Sequence, residues 1–267
     1  MARLYIAPPA SQFPMTTKNS LILWTSLSLN LLFILLFSIL IIRRGGIPYL
    51  ISKLPFNQQI EQTITITRRR NTYQSNYHQM RKQMFEQMPN SESEIIFIGD
   101  SLTDQGEWSE LLGKADIRNR GISGDTTDGV LNRLDEITAS QPQKLFLMIG
   151  ANDLWNEKKP ANKIAQNYRL ILEQIQQQTP ETQVFIQSLL PMNTIDYSIK
   201  VNNSDIIAVN RHLQDLASEF SYTYIDLHQH FTNDQKQLDP VYTIDGVHLN
   251  GKGYLNWAKT VSLYVNQ

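Results

Sequence analysis

The sequence predicts an α/β protein, a three-layer α/β/α sandwich around a five-stranded parallel sheet of flavodoxin-like kind, preceded by one N-terminal transmembrane helix. Three observations carry this. Beyond residue 93, short apolar runs of strand length alternate with amphipathic stretches of helix length. The runs are apolar on both faces, as strands are when helices cover both sides of a parallel sheet. Near the N-terminus, residues 21–42 read LILWTSLSLNLLFILLFSILII, without a charge or a proline.

That N-terminal run, about 22 residues, would extend roughly 33 Å as a helix, enough to cross the hydrocarbon core of a bilayer. Thr25, Asn30 and the serines are tolerable there because their side chains bond backbone or a neighbouring helix. Trp24 sits near one end, where interfacial aromatics collect, and Arg43 and Arg44 end the run sharply. A cleaved signal peptide would have a shorter apolar region followed by a small-x-small site, whereas IIRRGGIPYL closes this one. A buried core helix would keep a polar stripe. The reading is therefore a tail over 1–20 and an uncleaved single-pass membrane anchor over 21–42, with the lipid bilayer as its partner. Arg3 and Lys18 precede the span and Arg43, Arg44 and Lys53 follow it. That imbalance is too small to set the side on which the rest of the chain lies.

Residues 43–93 read as a juxtamembrane connector. Gly45, Gly46, Pro48 and Pro55 punctuate its start. Helical spacing of Tyr77, Met80, Met84 and Met88 predicts a helix over 73–87, its methionine stripe packed against the following domain. Arg68, Arg69 and Arg70 read as a solvated or headgroup-facing patch.

The domain over 94–267 follows. Strands are predicted at 94–98 (EIIFI), 116–119, 144–149 (KLFLMI), 183–189 and 222–227. Helices are predicted at 126–137, 161–178, 205–220 and 253–265 from apolar residues at helical spacing, such as Ile164, Tyr168, Ile171, Leu172 and Ile175. In such sheets function collects in loops beyond the carboxyl ends of the strands.

Composition removes some chemistries. A net charge of -1 gives no electrostatic reason to expect nucleic acid. The absence of cysteine excludes disulfides, thiol catalysis and thiolate-bound zinc. The five histidines show no H-E-x-x-H spacing, so no metal site has support.

Four polar clusters each follow a predicted strand: Gly99-Asp100-Ser101-Leu102, the stretch from Asn119 to Thr127 around Gly124, Gly150-Ala-Asn152-Asp153, and Asp245-Gly-Val-His248. Singly, each reads as a turn, a helix cap or a surface ion pair. Together they supply what a serine nucleophile needs. Ser101 requires a base for its proton, His248 is that base, and Asp245, three residues earlier, can hold the imidazole in the right tautomer. The oxyanion requires convergent donors: backbone N–H groups of Ser101 and Gly124 and the Asn152 amide. A glycine at 124 lets backbone approach the oxyanion without a Cβ in between. Thr103 stands where G-x-S-x-G would place its second glycine, so the α/β-hydrolase elbow is not the template.

These clusters, in this order, resemble the SGNH (GDSL-type) hydrolases, whose Ser, Gly, Asn and His come from four sequence blocks. The wording GISGDTT, GAND and DGVHLNGKGY is most similar to the platelet-activating-factor acetylhydrolase-like and thioesterase-I-like branch. The resemblance covers residues 94–267. It implies catalytic Ser101, Asp245 and His248, an oxyanion hole from Ser101, Gly124 and Asn152, no cofactor and no metal. The expected activity is hydrolysis of a small-molecule, lipid or glycan ester through an acyl-enzyme. Acyl transfer to a sugar or lipid hydroxyl uses the same residues, and a catalytically silent tethered module is a third reading.

The remaining polar residues read as structural. Asp100 and Asp153 brace loops, and Asp125 and Thr126 start a helix. His212 lies mid-helix. His228 and His230 are rivals to His248 but lack an acid three residues before them. Trp108, Trp155 and Tyr242 are candidate pocket walls, although aromatic residues near such loops are as often core.

Overall fold

The computed structural model describes residues 17–43, 75–91 and 94–267, and in the first of these the side chains of 24–35 and 37–39. The chain divides into two compact units, 1–65 and 66–267. Of the first unit, the described part is one helix, α1 (Thr17–Arg43). Its large apolar side chains, Trp24, Leu29 and Phe33 among them, are exposed. Among the described residues no helix is long and apolar enough to cross a membrane. The predicted span also takes in positions 21–23, 36 and 40–42, which lie outside the described side chains. So do most of the tail and connector, including Arg68, Arg69 and Arg70.

The second unit opens with α2 (Asn76–Gln87), capped by the Ser75 hydroxyl, which accepts the His78 N–H. The predicted methionine stripe does not face the domain. Tyr77, Met80, Met84 and Met88 are exposed, and the buried positions are His78 and Phe85. The surface beneath α2 explains the reversal: it offers charge as well as apolar area. The guanidinium groups of Arg81 and Arg120 both lie over the Phe85 ring, 4.6 and 4.8 Å from its centroid, an arrangement that favours an aromatic over a thioether.

Five parallel strands follow in the order β2-β1-β3-β4-β5: β1 (Ile95–Gly99), β2 (Ile117–Gly121), β3 (Lys144–Met148), β4 (Gln183–Gln187) and β5 (Thr223–Ile225). This is the flavodoxin-like order, which reverses between β1 and β3. The register sets Phe97 beside Phe146 and Phe146 beside Phe185, and the three rings stack at 4.6 and 4.5 Å. Trp108 continues the stack 4.5 Å from Phe97, and Trp257 meets Trp108 edge-on at 4.7 Å.

The longer helices lie close to their predicted places: α5 (Thr127–Thr138), α7 (Ala161–Gln178), α8 (Asn203–Phe220) and α10 (Gly251–Val265). Four short ones had no periodic signal: α3 (Ser101–Asp104), α4 (Trp108–Leu112), α6 (Ala151–Trp155) and α9 (His228–Phe231). Each spans four or five residues, too few for a 3.6-residue period to register. β5 is also shorter than predicted, because the Leu227 N–H turns back to the Ile225 carbonyl and α9 begins at once.

Candidate active site

Each cluster read from the sequence sits at the carboxyl end of the sheet or beside it. β1 ends at Gly99, and Asp100 caps α3 by accepting the Leu102 N–H at 3.1 Å. Ser101 is the first residue of α3. β3 ends one turn before α6, whose second residue is Asn152. Ser101 and Asn152 therefore flank the crevice where the strand order reverses, the usual ligand position in open α/β sheets.

Gly124 follows β2 in the turn 122–125, closed by the Asp125 N–H on the Ile122 carbonyl at 3.0 Å. Its φ of +84° is the conformation that asks for glycine at the third position of such a turn. A Cβ there would meet no protein atom within 4 Å. Within the protein the glycine answers a backbone requirement, and the space beside it is open.

Asp245 and His248 share one loop. Thr243 shapes it, its hydroxyl donating to the His248 carbonyl at 2.7 Å and accepting the Gly246 N–H at 2.8 Å. One Asp245 oxygen accepts the backbone N–H of Val247 and His248 at 2.9 and 2.7 Å, and the other lies 2.7 Å from His248 Nδ1. A carboxylate only accepts, so Nδ1 carries the proton and Nε2 presents its lone pair. That Nε2 lies 3.1 Å from Ser101 Oγ. Burial pushes the Asp245 carboxyl up, but the hydrogen bonds from the His248 ring and from two backbone N–H groups prevail, and its pKa is lowered. The result is an ionised acid, an oriented imidazole and a serine hydroxyl in line.

Asp100 differs. Burial raises its carboxyl to about 7, against the lowering effect of the Leu102 N–H. Asp153 is fully buried and accepts from Thr127 N–H at 2.9 Å and Lys159 Nζ at 2.7 Å. Both brace loops, as their sequence context suggested.

Ser101, Asn152, Asp245 and His248 line one cavity of about 320 Å³ whose apolar walls include Leu102, Ala151, Trp155, Met192 and Val247. Gly124 is not among its lining residues, although the Asn152 amide reaches its neighbour, donating to the Asp125 carbonyl at 2.9 Å. Of the three candidate aromatic walls only Trp155 is there. Trp108 is buried in the ring stack, its indole N–H on the Thr103 carbonyl at 2.8 Å, and Tyr242 packs against Phe231. His228 lines a separate depression with Tyr224 and Asp226, its Nδ1 3.2 Å from the Thr232 hydroxyl. His212 is half-buried on α8. Among the described residues no group of His, Asp and Glu is arranged to hold a metal ion.

The family model of the GDSL-like lipases and acylhydrolases matches residues 97–255, a stretch containing all five site positions. The chain belongs to that family. It is thus a serine hydrolase of the SGNH kind, and the resemblance read from the four clusters holds. The human platelet-activating factor acetylhydrolase IB subunit alpha2 is 27% identical over 183 residues, 66% of this chain and 77% of the relative. The bovine alpha1 subunit is 27% identical over 169 residues, 61% of this chain and 71% of the relative. A Streptococcus pneumonia structure titled for platelet activating factor superposes with a TM-score of 0.64 at 26% identity, covering 80% of this chain and all of its own. An acetyl-xylooligosaccharide esterase from Geobacillus shares the fold at a TM-score of 0.56 and 20% identity, covering 67% of this chain and 96% of its own.

Two features had escaped the sequence reading. Met192, in the cavity wall, lies in no motif. His78, on α2, lies 3.2 Å from Asp125 with both side chains fully buried. Nothing local marks either residue; an isolated histidine 47 positions from its partner leaves no pattern.

Proposed function

We propose that this GDSL-family enzyme hydrolyses short-chain carboxylic esters through an acyl-enzyme on Ser101. The chain from Ser101 Oγ to His248 Nε2 at 3.1 Å and from His248 Nδ1 to Asp245 at 2.7 Å is the observation that carries the reading. Ser101 Oγ attacks the acyl carbon as its proton passes to His248, and Asp245 steadies the imidazolium. The oxyanion is received by the N–H groups of Ser101 and Gly124 and by the second hydrogen of the Asn152 amide, whose first is engaged with Asp125. His248 returns the proton to the leaving alcohol. Water, deprotonated by the same imidazole, releases the acid and restores Ser101.

A short acyl group suits a cavity of about 320 Å³ with five apolar walls. The acetylhydrolase name of the 27%-identical human relative points the same way. The uncharged run 21–42 supports tethering at a membrane, as does the exposure of Trp24, Leu29 and Phe33.

The purified full chain is expected to release p-nitrophenol from the acetyl ester faster than from long acyl esters, and to take a fluorophosphonate label that Ser101→Ala loses. Equal turnover by Ser101→Ala would rule the mechanism out. For the tether, the full chain is expected to stay with membranes through alkaline carbonate extraction, and a chain lacking residues 1–44 to be released. Release of both would end the anchor reading.

A further inference from the structure

We propose that α2 of the connector is a positioning element of the active site, holding the Gly124 turn from both sides: His78 on Asp125, and Tyr77 with Arg81 on Asp104. The proposal rests on the reading of Gly124 as an oxyanion donor.

In the turn 122–125, Gly124 stands between Ser123 and Asp125, and both neighbours are tied down. Ser123 donates its N–H and its hydroxyl to one oxygen of Asp104, at 3.0 and 2.6 Å. The same oxygen accepts the Tyr77 hydroxyl at 2.7 Å, and Arg81 lies 3.3 Å from the other oxygen. On the far side, one oxygen of Asp125 accepts the Thr126 N–H at 2.9 Å and faces His78 Nε2 at 3.2 Å; the other takes Arg133 Nε at 2.8 Å. The Asp125 carbonyl in turn accepts the Asn152 amide at 2.9 Å. One residue therefore links His78 to two of the three oxyanion donors.

The Asp104 side is coupled to the nucleophile as well. A Cβ on Gly121 would collide with the Asp104 backbone nitrogen, so α3 is pressed against the end of β2. α3 begins with Ser101 and ends with Asp104. A shift of Asp104 would carry the serine helix and the turn together.

Neither His78 nor Tyr77 lines the substrate cavity, so both act through other residues. Their value follows from the tolerance of the site. Donors must stay within about half an ångström of the productive geometry, and a turn with a glycine at positive φ has little local stiffness of its own. Twelve residues of α2 would not hold a helix alone in water. Lys82 docks it on Asn132 at 2.9 Å, and its polar contacts from His78, Tyr77 and Arg81 are contacts that hold the turn.

The test uses the full chain, with kcat and KM for p-nitrophenyl acetate measured separately, fluorophosphonate labelling rates, and melting followed by circular dichroism. At a temperature where every variant is folded, His78→Ala is expected to lower kcat about 10- to 100-fold with KM within about twofold. His78→Gln, which restores a donor facing Asp125, is expected to recover most of the loss. Tyr77→Phe is expected to lower kcat severalfold, and Met84→Ala, on the exposed face of α2, to leave kcat alone. A wild-type kcat in His78→Ala, with only the melting temperature reduced, overturns the proposal. If His78→Ala does not fold, Tyr77→Phe decides, and wild-type kcat there overturns it. A wild-type chain that neither turns over nor labels defeats the esterase reading instead, and this inference with it.

Discussion

The molecule contains two carboxylate–imidazole pairs built from the same residue types. Asp245 and His248 are three residues apart and meet at 2.7 Å, with side chains 48% and 32% exposed. Asp125 and His78 are 47 residues apart and meet at 3.2 Å, with both side chains fully buried. The first pair faces a serine hydroxyl across a cavity. The second is walled in, its carboxylate shared with Arg133 and the Thr126 N–H. The contrast shows that a paired acid and histidine are not catalytic by composition. A relay needs one ring nitrogen free to exchange a proton with a reacting group, and burial among fixed charges removes that freedom while adding rigidity.

Four substitutions break or sharpen this contrast. The largest effect is expected at the exposed pair. Asp245→Asn should lower kcat about 10⁴-fold by spoiling the tautomer, with little change in stability. A loss below tenfold would mean that the pair is not a relay. At the buried pair the expected effect falls on stability as well as on kcat. Asp125→Ala removes the carboxylate 2.8 Å from the fully buried Arg133 Nε and leaves that guanidinium only Glu136, at 3.6 Å; breaking a buried pair costs about 3–5 kcal/mol. Chemical denaturation would show this, and a midpoint unchanged from wild type would place the two pairs in one class. Between them, Asn152→Ala should lower kcat about 10²- to 10³-fold with KM nearly constant. A change in KM alone would make Asn152 a binding group rather than an oxyanion donor.

The smallest effect concerns Asp100, a third acid near the site that pairs with no histidine. Burial raises it from 3.8 to about 7. The folded chain therefore keeps a proton that the unfolded chain releases above the ordinary value. This favours the folded state at low pH, and the advantage is lost as pH rises from 3.8 to about 7. Asp100→Asn can still accept the Leu102 N–H and removes that slope. Its melting temperature relative to wild type should be higher at about pH 8 than at about pH 5. A constant difference would show that Asp100 does not titrate in that range.

Much of this was legible in the chain. The strands were readable because EIIFI and KLFLMI are apolar on both faces. The Asp245–His248 pair was readable because both residues lie on one loop, where spacing in sequence is nearly spacing in space. The orientation of α2 was not, because a methionine stripe has helical spacing whichever face is buried, and the choice fell to Arg120, Asp104 and Asp125 beneath it. Whether Trp108 is a wall or a core residue was open for a similar reason. Its position near the serine loop suggested a wall, and the stack on Phe97 drew it into the core.

By itself the sequence determined the types of the longer elements, the placement of three polar clusters after strands and the loop that carries Asp245 and His248 together. These depend on periodicity and local spacing, which neighbours along the chain carry. Only the tertiary structure decided the strand order β2-β1-β3-β4-β5 and the 3.1 Å approach of Ser101 to His248 across 147 positions. It also decided which histidine faces the serine and which one is buried against Asp125. Those outcomes depend on what each side chain meets across the fold and on how much water reaches it, and neither is a property of a local stretch of sequence.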